Sequence, residues 1–473
     1  MNKTIIFVSN YSDSLNNTMN SIAENLSKDL EYKILTYRKM KIENSYSYEE
    51  YLEKNYEILI KMDDIEFGDK YKNINLMLSF VVERMLTNFS YGTYKLFGME
   101  KYTDKELLFF LKSYTLFLSK YIKKSSLVFS GFSDNFVSLL SYFIAKHYNK
   151  LWLSFDGYFI INYDDCYLID SPYKTIYKNY LTNKDKPNNI IKYIENIKKY
   201  NVNNHIKEEA KKTKNLDMAI FGVLSTNMFK LNYIKFCLYG YRSSKKIRKF
   251  MNIDKPPCLK KIKANLKRII NKILVKLYLY KIGYFPKKGE KYIYFPLQLQ
   301  PEASTISVTP FYSNQLAVIE NIIKSLPIGY TLLVKEHPAA IGIRELWFYK
   351  HIRTLPFVKI VNMQVNGKEL IKMSDVIVGY GGTTLVETII LGKKMILFSK
   401  EYSYINIPLI ETVENPKDVY FKIRKLLDVK LTDKELNNEI ERMLMFFYQK
   451  AYSLHEGFYK KTATILESIL KEK

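Results

Sequence analysis

Val378-Gly-Tyr-Gly-Gly-Thr-Thr-Leu-Val-Glu387 is the stretch on which the reading of this chain turns. Residues 375–378 carry the apolar run of a buried strand, and residues 385–391 read as a helix. The glycines between them let the backbone come close to a ligand. A helix that starts there offers unpaired N–H donors and a partial positive charge, and Thr383 or Thr384 can add a hydroxyl donor. Together these suit a phosphate. The loop is neither a GxGxxG fingerprint nor a Walker loop, since no Gly-Lys-Ser/Thr is present. Any strand-to-helix turn can use glycine, so this one takes its meaning from the segments around it.

Upstream, residues 291–295 read as a strand leading into Gln298-Leu-Gln300-Pro-Glu302-Ala-Ser304-Thr305. Residues 330–335 form the next strand, closed by Glu336-His337-Pro338, where the proline fixes the turn. Helices are expected at 314–326, 344–355 and 367–373, and strands at 358–361 and 394–398. Gly392 stands where a helix C′ glycine belongs. This alternation predicts a mostly parallel α/β sheet. Loops at the carboxyl ends of such strands share one crevice, where open α/β sheets hold ligands. Lys335 is then a cation for a phosphate, His337 a hydrogen-bond or proton donor to a leaving group, and Glu302 a general base or a ligand for a sugar hydroxyl.

The N-terminal half repeats the pattern. Residues 5–8 read as a strand, 15–30 as a helix and 32–35 as a strand. A second βαβ unit follows through 126–130, 136–148 and 151–155, with the region 73–124 helical between the two units. Asp13, Asp134 and Asp156-Gly157 fall in loops, where turn chemistry explains them as well as catalysis does. Residues 170–255 are Lys- and Asn-rich and read as peripheral helices and loops. After Pro256-Pro257 the spacing of Leu259, Ile262, Leu266, Ile269, Ile270, Ile273, Leu274 and Leu277 predicts a basic amphipathic helix ending near Gly283, suited to packing at a domain joint or to lying on a membrane. Residues 432–470 read as closing helices. The expected organisation is 1–255, a linker helix at 256–285, a second α/β domain at 286–435 and C-terminal helices at 436–473.

Composition narrows the class. A chain of 473 residues has room for two or three domains, and 47% hydrophobic with 26% charged residues is ordinary for a globular protein. The formal net charge is +25, and residues 242–290 hold 16 Lys/Arg against Asp254 and Glu290. Such a block points to an anionic surface: phospholipid, a phosphorylated acceptor or nucleic acid. Cys166, Cys237 and Cys258 form no CxxC pair and there are five histidines, which argues against a zinc site and a disulfide framework. The apolar run at 5–8 is shorter than a signal-peptide core, and no stretch approaches the ~20 apolar residues of a membrane span. The expectation is a cytoplasmic protein, with any membrane contact peripheral.

Three motifs in order, Phe295-Pro-Leu-Gln-Leu-Gln-Pro-Glu302, Val334-Lys-Glu-His-Pro338 and Ser374 through Glu387 with Gly392-Lys393, resemble the bacterial capsule polysaccharide biosynthesis family, which includes enzymes similar to the retaining Kdo transferases of capsule and lipopolysaccharide assembly. The resemblance covers about residues 290–400. It implies a GT-B fold: two Rossmann-like domains facing across a cleft, the donor mostly on the second, and the final helices crossing back. It also implies a glycosyltransferase using a nucleotide-activated, CMP-linked sugar and a glycan or glycolipid acceptor. In related enzymes the His of an HP motif and a Ser/Thr pair contact the donor phosphate. Those positions are His337 and Thr383/Thr384 here, with Lys335, Gln300, Gly381 and Gly382 beside them. Glu387 matches the acidic position that often holds the donor's nucleoside. Bacterial sialyltransferases place two acids before a glycine as base, whereas Phe155-Asp156-Gly157 retains one, Asp156. No cofactor, no catalytic metal and no nucleic-acid partner are expected. The competing readings are a CDP-polyol phosphotransferase of teichoic-acid type and a GT-B-like nucleotide-sugar epimerase.

Overall fold

Fully apolar runs such as Ile5-Ile-Phe-Val8 and Tyr292-Ile-Tyr-Phe295 have no polar face to give to water, so they are stable only inside a sheet covered on both sides. The computed structural model describes residues 3–9, 13–82, 104–131, 135–157, 165–173, 258–300, 303–398, 407–450, 452–453 and 457–472. It places these runs in the middle of two separate sheets, each strand buried from end to end or nearly so.

The first sheet contains β1 (Thr4–Val8), β2 (Glu31–Thr36), β3 (Ser45–Ser47), β4 (Leu127–Ser130), β5 (Leu151–Gly157) and β6 (Asp165–Ile169). A late strand, β13 (Tyr452–Ser453), completes the order β13-β6-β5-β4-β1-β2-β3. Strands β1 to β5 pair in parallel, while β6 returns antiparallel to β5. Helices α1 (Asp13–Ala23), α2 (Tyr48–Lys61), α3 (Asp64–Lys70), α4 (Asp104–Ile122) and α5 (Phe136–His147) cover it. The two βαβ units read from the sequence are present. The first helix stops at Ala23 instead of Leu30, and β3, α2, α3 and β6 are additions to that reading. Between 73 and 124 the described residues hold a 3-10 turn, Leu76–Val82, and then α4. The expected peripheral helices at 174–255, and Asp134, lie outside the described residues.

α6 (Cys258–Ile282) leads into the second sheet. Its strands are β7 (Tyr292–Pro296), β8 (Thr331–Lys335), β9 (Val358–Ile360), β10 (Val376–Gly379), β11 (Met395–Leu397) and β12 (Ile410–Thr412), all parallel, in the order β12-β11-β10-β7-β8-β9. Between them come α7 (Ala303–Ile306), α8 (Gln315–Ile323), α9 (Leu346–Thr354), α10 (Gly367–Met373) and α11 (Thr383–Ile390). α12 (Val419–Asp428) and α13 (Asp433–Lys450) follow. Counted from β7, the strand order is 3-2-1-4-5-6, the doubly wound arrangement.

The final residues return to the first sheet. α13 starts against the second unit, where Leu436 fills the space beside Gly392. β13 then pairs antiparallel with β6, and α14 (Phe458–Glu472) packs on α1. The Ser27 N–H donates to the Glu467 carboxylate at 2.6 Å, and Lys3 donates to the Leu470 carbonyl. The expected continuous helical ending is therefore interrupted by a strand. Tyr452 caps the edge of the first sheet, its hydroxyl 3.1 Å from Thr462 Oγ1. Two Rossmann-like sheets joined by a C-terminal crossover make a GT-B-like architecture.

Candidate functional site

In the second sheet the chain leaves β7 toward β8 and β9, then crosses back to β10 on the other side. The switch point lies between β7 and β10, and the carboxyl ends of the strands at such a point are where open α/β sheets hold ligands. Strands β8, β7 and β10 are consecutive, so at ~4.8 Å per strand the loops that follow them sit within about 10 Å of one another. These are the loops that begin at Leu297, Glu336 and Tyr380. The convergence expected from the sequence is present.

The loop after β10 is shaped by positive backbone angles. Gly381 has φ +98° and Gly382 φ +70°, ψ −149°, a region that residues with a Cβ almost never adopt. Gly382 is the N-cap of α11 and supplies no side-chain cap, so the helix start keeps donors available for an external acceptor. Gly381 is buried, Thr383 is exposed and Thr384 is half-buried. Below the loop, buried Tyr380 donates its hydroxyl to the Tyr312 carbonyl at 2.9 Å.

In the loop after β8 the residue passed over in the sequence organises the rest. The Glu336 side chain is 1% exposed and lies 2.5 Å from Arg344. The same carboxylate accepts from the His337 N–H at 2.6 Å and from the Tyr349 hydroxyl at 2.5 Å. Arg344 also donates to the Gln298 carbonyl and stacks on Phe348 at 5.4 Å. One buried ion pair thus ties the His-Pro turn to the loop after β7. The sequence signal was a Glu beside the HP dipeptide and an Arg eight residues later, which only the folded turn identifies as partners.

His337 is exposed at this edge. Its Nδ1 accepts from the Ala339 N–H at 3.2 Å, which leaves Nε2 to carry the proton of the neutral ring. Desolvation holds the imidazole below its usual pKa; Glu336 opposes this, and Arg344 and Lys335 reinforce it. Lys335 is itself buried at 8% exposure, and its carbonyl accepts from the Leu297 N–H at 2.9 Å. Gln300 is buried and donates to the Ser313 carbonyl at 2.6 Å, so its amide braces the β7 loop. Glu302 lies outside the described residues.

Glu387, in the second turn of α11, sits 3.4 Å from Lys368 at the start of α10. Burial pushes its carboxyl above the usual range against the pull of Lys368. Asp156 lies within β5 instead of in a loop after it, opposite Tyr167 of β6, whose hydroxyl donates to it at 3.3 Å. The structure therefore groups Gln300, Lys335, His337, Gly381, Gly382, Thr383, Thr384 and Glu387 on the second sheet and leaves Asp156 on the first.

An aromatic cleft, also unread in the sequence, opens next to the glycine loop. It has a volume of about 440 Å³ and is lined by Phe311, Tyr312, Phe398, Glu414 and Pro416. Tyr312 and Phe398 stack at 4.8 Å. Phe398 and Glu414 follow β11 and β12, so the cleft continues the same sheet edge. Such a surface can hold a flat ring by stacking. Among the described residues no cluster of His, Cys, Asp and Glu could hold a metal ion.

No protein-family model matches the chain, and no curated protein does. Among solved structures it is similar to the UDP-GlcNAc 2-epimerase from Methanocaldococcus jannaschii at 11% identity, over 94% of this chain and 99% of that one, with a TM-score of 0.27. It is also similar to a KpsC beta Kdo 2,7 transferase from Thermosulfurimonas dismutans at 12% identity, over 75% and 88%, with a TM-score of 0.33. A third likeness is to the wall teichoic acid polymerase TagF, at 14% identity over 100% and 90%, with a TM-score of 0.22. At these scores the likenesses carry no functional weight.

Proposed function

We propose that the chain is a glycosyltransferase of surface polysaccharide synthesis. It takes a sugar from a nucleotide-activated, CMP-linked donor and passes it to a glycan or lipid-linked acceptor at the inner face of the cytoplasmic membrane. The observation that carries this reading is the meeting of the loops after β7, β8 and β10 at the switch point of one parallel sheet. An uncapped helix start, a neutral His337 with its proton on Nε2 and two threonines are what a leaving phosphate needs as negative charge develops on it. In this reading the aromatic cleft stacks the nucleobase and Glu387 takes a ribose hydroxyl. Lys335 adds positive charge beneath the phosphate. Gln300 holds the β7 loop in place, and in an inverting mechanism Glu302 or Asp156 accepts the proton of the acceptor hydroxyl. The route uses no metal ion.

A thermal-shift screen with CMP, CDP, UDP and GDP tests this reading. The expected result is stabilisation by CMP that His337→Ala weakens by at least about tenfold in apparent affinity, the scale of one charge-assisted hydrogen bond. Stabilisation that survives the loss of His337 removes that residue from the donor site. A response to CDP with no response to CMP favours transfer of a polyol phosphate. A response to UDP alone, with isomerised sugar released and no acceptor needed, favours the epimerase. No response to any nucleotide ends all three.

A further inference from the structure

The helix α6 has two opposite faces, and the described residues pack against one of them. Val275 and Leu279 are fully buried in the core of the second unit. Asn271, on the same face, donates to the Gly342 carbonyl at 3.1 Å and the Arg344 carbonyl at 2.8 Å. Turned away from that contact are Leu266, Ile270, Ile273, Leu274, Leu277 and Tyr280, between 36% and 65% exposed. At ~100° per residue these six span an arc of about 120° centred opposite the midpoint of Val275 and Leu279. Lys267 and Lys276 fall on either edge of that arc, at roughly +100° and −80° from Leu266. Lys267 also lies 3.5 Å from Glu345. Residues 258–282 contain eight Lys/Arg and no acidic residue.

A row of six large apolar side chains in water is costly unless something covers it, and scattered exposure does not produce helical periodicity. The charge pattern identifies the cover. A partner protein of ordinary composition offers no reason for basic residues on both flanks and for the absence of any acid in the helix itself. An anionic lipid interface offers both, with acyl chains for the apolar arc and headgroup phosphates for the lysines at its edges. We infer that the outward face of α6 docks in the plane of an anionic phospholipid surface. The docked helix stays joined to the His337 turn, because Asn271 holds Arg344 and Arg344 holds Glu336. This rests on the transferase reading and deepens it by naming where a lipid-linked acceptor is met, with the helix linked to the His337 turn through Arg344.

The experiment is flotation of the full-length protein with vesicles of equal parts phosphatidylglycerol and phosphatidylcholine, against vesicles of phosphatidylcholine alone. The wild-type chain is expected to float with the anionic vesicles, less so as salt rises. The variant Leu266→Gln, Ile270→Gln, Leu274→Gln, Leu277→Gln removes exposed side chains only, and should lower vesicle affinity by at least about tenfold while leaving the nucleotide thermal shift unchanged. In a separate Leu277→Trp variant, the indole emission should move to the blue on adding anionic vesicles. Undiminished flotation of the four-fold variant overturns the inference, as does an indole emission that does not move while the Leu277→Trp protein floats. A wild-type chain that dimerises in sedimentation, with the four-fold variant monomeric and neither floating, assigns the face to a second copy and also overturns it. Loss of the nucleotide response in the wild type alone leaves the lipid result standing and counts against the donor site instead.

Discussion

Glu336 shows how much one side chain can carry. It sits between the strand that ends at Lys335 and the His337-Pro338 turn, and it accepts from a backbone N–H, a phenol and a guanidinium at once. Breaking a buried pair of this kind leaves Arg344 charged, 9% exposed and without its partner. Glu336→Gln is therefore expected to cost about 3–5 kcal/mol in urea unfolding. The same variant has a second readout. Glu336 raises the His337 pKa against desolvation, so its loss should drop the imidazole further below the ordinary 6.5. The sign for stability follows. A histidine held low binds fewer protons folded than unfolded, so its contribution is complete above about 6.5 and declines as pH falls through and below that value. NMR titration of the His337 ring in wild type and Glu336→Gln checks the order of the two midpoints; equal midpoints mean Glu336 does not act on the ring.

At the scale of the element, the start of α11 depends on a glycine for conformation alone. Nothing lies within 4 Å of where a Cβ on Gly382 would stand, so the cost of Gly382→Ala comes from φ +70° and not from a clash. That cost is about 1–3 kcal/mol, relieved if the turn rotates and carries the helix N–H groups with it. CMP affinity should fall by at least about tenfold. Gly289→Ala, at φ +83° and equally open, lies on a turn before β7 and serves as the control. It should lose stability and keep the affinity. If both variants bind CMP normally, the α11 start is not part of the donor site.

Across the whole molecule, the last helix belongs to the first sheet although the sequence places it after the second. α14 buries Phe458, Ala463, Leu466 and Ile469 and packs on α1. Removing residues 457–473 should open α1 to hydrogen exchange, because Ser27 and Lys3 lose their partners as well, while amides of β8 stay protected. Retained protection at α1 would show that α14 does not stabilise the first unit.

The sequence by itself determined the doubly wound character of the second sheet. Strand runs, a His-Pro turn, a Gly-Gly helix start and the C′ glycine at 392 are local statements about backbone geometry, and local physics settles them. That is why the strand-end loops that hold His337, Gly381 and Gly382 were legible as neighbours on one sheet edge. It also determined that α6 is basic and amphipathic. Tertiary structure decided the rest, because the rest consists of pairings between distant residues. Periodicity cannot say that Arg344 closes on Glu336, that Phe398 stacks on Tyr312, that Asp156 lies inside a strand opposite Tyr167, or that a two-residue strand at Tyr452 crosses to the first sheet. Nor can it say which side of α6 is covered: Val275, Leu279 and Asn271 pack on the second unit, and the longer apolar stripe opposite them is left exposed.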